Sequence, residues 1–526
     1  MTITALPSKG STEWSDWARD IDRTARGGEV IDLVLHGITP GAGDQSAKIN
    51  ALIAANPAHS TFVLPEGDYS IDSSILVNKP LTLRGRGRLK STMSSTACIE
   101  VSASDVNIYG VRAEGPQRAV WTNGGRGISI VGALGAELKR IHVAGVALSN
   151  YGGSAIVASF AQQINFDGVT INGCTYYGIA LLSCSKVLID RAVISDINKG
   201  GLPNSYGVTA SRLNGTLEVN PRSADVTMQN STVSDVPDWV GFDTHGGLRI
   251  RSINNNFFRC KRAIDFVGSV GPTPEGGTAT VDFAPLEFAI IGGVCDGTGI
   301  ATSHGVGASG ATGTPGAPRE LATGIIQGVT IIRSGDPTNN ALGGVWLRGT
   351  LGVKISNMVL VECGSHGICL SNDNYGFGIS NITSIDAWSD THTIPSVVAT
   401  RSTYNTGSIN GIYGRRGSKV AANVQKYGIY NSDATENTTI SVGSDCFIEG
   451  AGSILVAESA AGQRTFMRMT ATRNIIGRGN STLAFFEGPG STKITGTPPV
   501  ATDLASAIAL VNFFRGALKD GYTIVG

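Results

Sequence analysis

A chain of 526 residues balances 41 Lys and Arg against 41 Asp and Glu, with 16% charged residues and 70 Gly. That balance argues against a nucleic-acid binder, which needs a basic excess to neutralise phosphates. A 41% apolar content argues against disorder, and the glycines recur ahead of short apolar runs rather than in collagen triplets.

Residues 11–26 place Trp14, Trp17, Ala18, Ile21 and Ala25 at helical spacing, closed by Gly27 and Gly28. Such a helix suits either docking to a partner or packing on whatever follows. No basic-then-apolar leader opens the chain and no apolar run approaches the length of a membrane span. The expectation is synthesis in a cytoplasm without a signal peptide, and no membrane insertion. A second short helix, over residues 44–55, carries Ile49, Leu52 and Ile53 and would cap the open end of a stack of strands.

From about residue 61 to about residue 455 the chain reads as short strands separated by Gly, Asn, Asp and Ser. A recurrent element, small residue then apolar–variable–apolar, appears as SAIVAS from Ser154, YGIALLS from Tyr177, YGVTAS from Tyr206, VGFDTHG from Val240 and RAIDFVG from Arg262. Later copies are GGVWLRG from Gly343, HGICLS from His366, NGIYG from Asn410 and YGIYNS from Tyr427. Successive copies are often 22 to 29 residues apart, the period of one solenoid coil and too short for a strand–helix–strand unit. A second strand follows each first one, as in KVLIDRAVI, so each coil feeds at least two long parallel sheets. Asn254, Asn255 and Asn256 read as a structural corner. Interruptions fall at residues 268–324, 213–224 and 388–402, where surface function can be built.

Eight Cys occur without a metal-ligand constellation. Cys174, Cys260 and Cys363 each sit four or five residues before the first apolar residue of a recurrent strand, as small reduced side chains buried at one recurring corner would. Near the C-terminus, residues 502–519 read as a helix with Ala507, Val511, Phe514 and Leu518 in four-three-four spacing. One apolar stripe needs a partner, and a homotrimer of identical copies would supply it.

The opening GDQSAKINALIAANPAHSTFVLPEGDYSIDSSILVNKPLTLRGRG resembles the start of pectate-lyase-like β-helices of bacteriophage tail proteins, through Leu64, Pro65, Gly67, Tyr69, Ile71, Leu83, Gly85 and Gly87. The acidic run that usually precedes the helix is reduced to Asp44. GFDTHGG at Gly241 looks like a stretch of tail spikes from phages of Gram-positive hosts, and the closing ATDLASAIALVNFFRGALKDG resembles their C-terminal helices. The resemblance implies an all-β, right-handed single-stranded parallel β-helix with short N-terminal helices and a C-terminal helix. Its parts would be an attachment and capping segment (1–58), the β-helix (59–458) and a C-terminal segment (459–526). It further implies a tail spike or fibre on the virion, bound to other tail proteins through its N-terminal segment and acting on a host cell-wall or capsular glycan.

Aligning the recurrent strands on their leading Gly gives a register. Ile179 and Leu181 point inward and Ala180 outward, so Asp243 points outward with His245 on the same face, and Asp265 takes the same place one coil on. Thr209 occupies it one coil earlier. Two carboxylates about 5 Å apart, the spacing of neighbouring strands, raise one pKa and match the separation held by retaining glycosidases. Asp243, Asp265 and His245 are thus the candidate catalytic group. Arg249, Arg251 and Arg262 follow closely and could hold an anionic sugar. Trp346 and Arg348, outward in GGVWLRG, could add a stacking platform. Two other readings stand beside this: a solvated or cation-binding face, and a solvated Arg trio. No cofactor motif, phosphate loop or GxSxG elbow is present. The function classes left open are glycoside hydrolase, polysaccharide lyase and non-catalytic adhesin.

Overall fold

Runs that alternate inward aliphatic with outward polar side chains cannot bury their apolar face alone, and in the computed structural model each pairs in parallel with its counterpart one coil later. The structure describes residues 29–116, 124–198, 204–213, 219–272, 280–310, 320–401, 404–421, 423–431, 439–443 and 445–448. Nearer the C-terminus it describes the strands Ile454–Glu458, Phe466–Met467, Lys493–Thr495 and Thr523–Val525. The helices expected over residues 11–26 and 502–519 lie outside the described residues. Contacts group the chain into two compact units, Met1–Val281 and Asp282–Gly526.

In the first unit each coil contributes strands to three parallel sheets. The first sheet runs from Val30–Asp32 through Ser185–Asp190 to Leu248–Ile253. The second runs from Asp68–Ile71 through Val193–Ile197. The third runs from Ile75–Val77 through Arg126–Val131, Ser154–Ser159, Tyr177–Leu182 and Tyr206–Ser211. The long strands Thr232–His245 and Asn256–Val267 serve the second sheet with their first halves and the third with their second, across a register shift between Val236 and Val240.

What the sequence presents as one strand, KVLIDRAVI, is two, because Arg191 between them adopts φ 52° and turns the chain. The same left-handed corner recurs at Gly110, Gly145, Gly168, Asn230 and Asn254. Glycine has no Cβ to strain there and Asn tolerates it. Asn255 completes the corner in the way its sequence context implies. Its Oδ1 accepts from Ser231 N at 2.9 Å, and its Nδ2 donates to Met228 O and Ser252 Oγ.

The interior is a set of aliphatic and aromatic columns, one being Ile128–Ile156–Ile179–Val208–Phe242–Ile264, each residue at most 2% exposed. Burying each such side chain stabilises by about 1.5–3 kcal/mol, so the columns hold the coil together. Cys174 and Cys260 occupy one corner column, in register with Ile197 and Val236. All eight Cys are buried thiols, and burial pushes the Cys260 thiol up to about 12, which leaves it unreactive.

The helix Ser46–Ala55 buries Ile49 and Ile53. Its Asn50 donates to Ser74 O and accepts from Leu76 N, each at 2.8 Å, satisfying the edge of the first strand of the third sheet. That is the capping role expected of it.

The second unit repeats the three-sheet coil, its third sheet running His304–Ser309, Val345–Arg348, His366–Leu370, Ser396–Thr400 and Tyr427–Asn431. Two stretches read in sequence as insertions therefore contain regular rungs. Phe288–Ile291, Val294–Asp296 and His304–Ser309 fall within 268–324, and Ser396–Thr400 falls within 388–402. Small residues such as Gly305 and Gly307 concealed the alternation. Among the described residues no helix is long and apolar enough to cross a membrane.

Candidate functional site

The candidate site lies on the outer face of the third sheet in the first unit. Strand alternation turns Phe242 and Thr244 inward and Asp243 and His245 outward. Register then pairs Asp243 with Thr209 on one side and with Asp265 on the other. Thr209 Oγ1 donates to Asp243 Oδ2 at 2.9 Å, and His245 Nε2 lies 3.3 Å from the same oxygen. Arg262 Nη1 donates to Asp265 Oδ2 at 2.7 Å.

The outward direction expected of the two aspartates holds, but their solvation does not. Each is 1% exposed, whereas the side chains of His245 and Arg262 are 40% and 26% exposed. Each buried carboxylate thus reaches solvent through one basic neighbour. Burial pushes the Asp243 carboxyl up to about 6; the charge of His245 opposes this, Asp265 adds to it, and Thr209 and Arg262 oppose it.

Aromatic side chains flank the pair. Tyr177 and Tyr206 are register partners, stacked at 5.4 Å, and Tyr176 meets Tyr206 edge-on at 5.9 Å. Burial, and then the charge of Asp243, raises the Tyr206 hydroxyl above its ordinary value. Trp239 receives the Arg262 guanidinium over its ring at 4.3 Å, which fixes the side chain that holds Asp265. These aromatics were missed in the sequence, although stacking YGIALL on YGVTAS by their Gly would have paired Tyr177 with Tyr206. Trp239 sits at the register shift, which no periodicity announces.

Of the sequence candidates, Asp243, Asp265, His245 and Arg262 come together. Arg249 and Arg251 do not, because the turn at Gly246 and Gly247 carries them onto the first sheet. There Arg249 forks onto Asp225 at 2.6 and 2.9 Å, one of a series of ion pairs between neighbouring coils that includes Arg140–Asp105, Arg191–Asp167 and Arg259–Asp235. Arg251 is exposed opposite Thr227. Trp346 and Arg348 belong to the third sheet of the second unit. Trp346 is half-buried, stacks on His304 at 5.6 Å and donates from Nε1 to Ser371 Oγ. Arg348 lies opposite Ser309. Among the described residues no group of three or more His, Cys, Asp or Glu side chains is placed to hold a metal ion.

Residues 37–265 match the protein family described as rhamnogalacturonase A/epimerase, pectate lyase-like. The fold is a pectate-lyase-like parallel β-helix. The matched stretch of this β-helix includes both aspartates of the pair. No curated protein matches it in sequence. Among solved structures, the N-terminal fragment of gene product 12 of bacteriophage phi29 is 11% identical with a TM-score of 0.49, covering 82% of this chain and 84% of that one. Tailspike protein 3 of bacteriophage CBA120 is 12% identical at a TM-score of 0.46, with coverage of 88% and 66%. The catalytic unit of a GH87 α-1,3-glucanase from Streptomyces thermodiastaticus strain HF3-3 is 14% identical at a TM-score of 0.42, with coverage of 88% and 71%.

Proposed function

We propose that this β-helix is a bacteriophage tail spike or fibre that binds a host surface glycan and hydrolyses it at the Asp243–Asp265 centre. The observation that carries the reading is a pair of like-charged carboxylates on adjacent rungs, buried among tyrosines and a tryptophan. Folding alone disfavours such a pair, and perturbed pairs of this kind concentrate at functional sites. Aromatic faces beside carboxylates suit sugar rings, which offer apolar faces and hydroxyl edges. The match of residues 37–265 to a family named for a rhamnogalacturonase agrees with a glycan as substrate.

In this mechanism Asp243, raised to about 6, is the proton donor to the leaving oxygen. Asp265, ion-paired with Arg262, is the anionic partner that supports positive charge developing on the sugar, until water adds to the anomeric carbon in place of the leaving group and gives its proton back to Asp243. His245 carries protons between Asp243 and solvent. Rungs about 4.8 Å apart bring the carboxyls near the separation of retaining enzymes. Three copies joined through residues 502–519, on a virion tail contacted through the N-terminal segment, complete the proposal.

One observation favours a second reading, a non-catalytic adhesin: both carboxylates are 1% exposed. Product analysis on host surface glycan separates the two. New reducing ends without ultraviolet absorbance support hydrolysis, whereas binding without products supports the adhesin. An unsaturated product would instead assign a lyase.

A further inference from the structure

The third sheet of the first unit carries a second feature outside the acid pair. A cleft of about 500 Å³ opens beside the strand Arg126–Val131, lined by the hydroxyls of Ser94, Ser95, Thr96 and Ser129 around Glu100 and Arg126. Its shape is preset. The backbone of Gly124 lies so close to Ser95 O that a Cβ there would collide with it, which holds the loop of Ser94 to Thr96 against its neighbour. Glu100 Oε1 accepts from Ser74 Oγ at 2.9 Å, so its carboxylate is oriented. Arg126 is half-buried and points Nη1 at Ser129 Oγ, 3.5 Å away. Burial lowers the Arg126 pKa and the charge of Glu100 raises it, as expected of a guanidinium partly stripped of water beside a carboxylate.

Register sets this cleft in line with the acid pair. Glu100, Ser129, Val157, Ala180, Thr209 and Asp243 are successive partners on one outer ladder. Five steps of about 4.8 Å put Glu100 about 24 Å from Asp243 along the axis.

We infer that the cleft is a second saccharide-binding site, which takes a neutral, hydroxyl-rich sugar unit of the same polymer that engages Asp243 and Asp265. This rests on the glycan reading above. A sugar presents adjacent hydroxyls that both donate and accept. A fixed carboxylate takes the donated protons and a guanidinium supplies donors to the oxygens. The charges of Glu100 and Arg126 cancel, and a uronate would bring its own carboxylate against Glu100, so neutral units are selected. Among the described residues no aromatic ring lines the cleft, so their part in binding relies on hydrogen bonds and a single unit is held weakly. Its effect is to anchor a chain that also reaches the acid pair.

The test uses the full chain and an arrayed set of neutral oligosaccharides of graded length, each with its uronate counterpart. Arg126→Ala and Ser95→Trp, the latter filling the cleft from an exposed position, should each weaken neutral oligomers that span about 24 Å by about tenfold or more. Shorter oligomers should be unaffected and thermal melting unchanged. The inference is overturned if both cleft variants bind spanning oligomers as tightly as the wild type, if uronates are preferred, or if no member of the set binds. Cleft-dependent binding by a wild-type chain that releases no product would support the second site while removing the hydrolytic reading.

Discussion

On the first sheet of the first unit, Arg249 and Asp225 hold equivalent positions on adjacent coils and close a two-pronged ion pair, each side chain 35% exposed. On the third sheet, Asp243 and Asp265 hold equally adjacent positions, carry the same sign and are almost fully buried. The scaffold offers both sheets the same axial spacing. It uses that spacing for register on one, where opposite charges in water contribute at most about 1 kcal/mol. On the other it keeps an arrangement that opposes folding. A coil built only for rigidity would place Thr or Ser at both positions, as it does at Thr209.

The sharpest way to break this contrast is a stability measurement against pH. The Asp243 carboxyl titrates near 6 when folded, above its ordinary 3.8, so the folded chain holds that proton more tightly. The stabilisation from the proton is complete below about 3.8 and lost as pH rises through about 6, a change of about 3 kcal/mol for a shift of about two units. Asp243→Asn should erase that slope and leave the chain more stable than wild type at neutral pH, as read by urea unfolding; an unchanged slope would show that the carboxylate is solvated.

Next in size, Asn255→Ala should destabilise by about 2 kcal/mol, since Ser231 N and Met228 O lose their buried partner at the corner. Chemical denaturation measures it, and a loss within error would show that water replaces the amide. Trp239→Ala frees the Arg262 guanidinium and removes an aromatic face, and should weaken glycan binding by about 1 kcal/mol, roughly fivefold, in calorimetric titration. Smallest of all, Arg249→Ala should change stability by less than about 1 kcal/mol and leave glycan binding within error. A large effect on binding would return Arg249 to the site.

Much of this was legible because a solenoid repeats its errors and its rules alike. Aligning YGIALL, YGVTAS, VGFDTH and RAIDFV on the small residue was enough to pair Asp243 with Asp265 and to find Thr209 beside them. The helix over residues 44–55 was legible from Ile49 and Ile53. Three features were not. The second sheet hid in the reading of two strands per coil because φ at Arg191 turns a run whose apolar pattern does not falter. The rungs around Gly305 and Val398 hid because small residues carry little periodic signal. The burial of the acid pair hid because alternation tells which way a side chain points and says nothing of what closes over it. For the same reason Arg249, next after His245 in the basic run, looked like part of the site until the turn at Gly246 carried it onto another sheet.

The most direct measurement is product release from host surface glycan by the wild type and by Asp243→Asn, with thermal melting of both recorded in parallel. A loss of roughly 100-fold or more at an equal or higher melting temperature is the predicted result for a proton donor in a buried acid pair. Cleavage retained in the variant would contradict the assignment of Asp243.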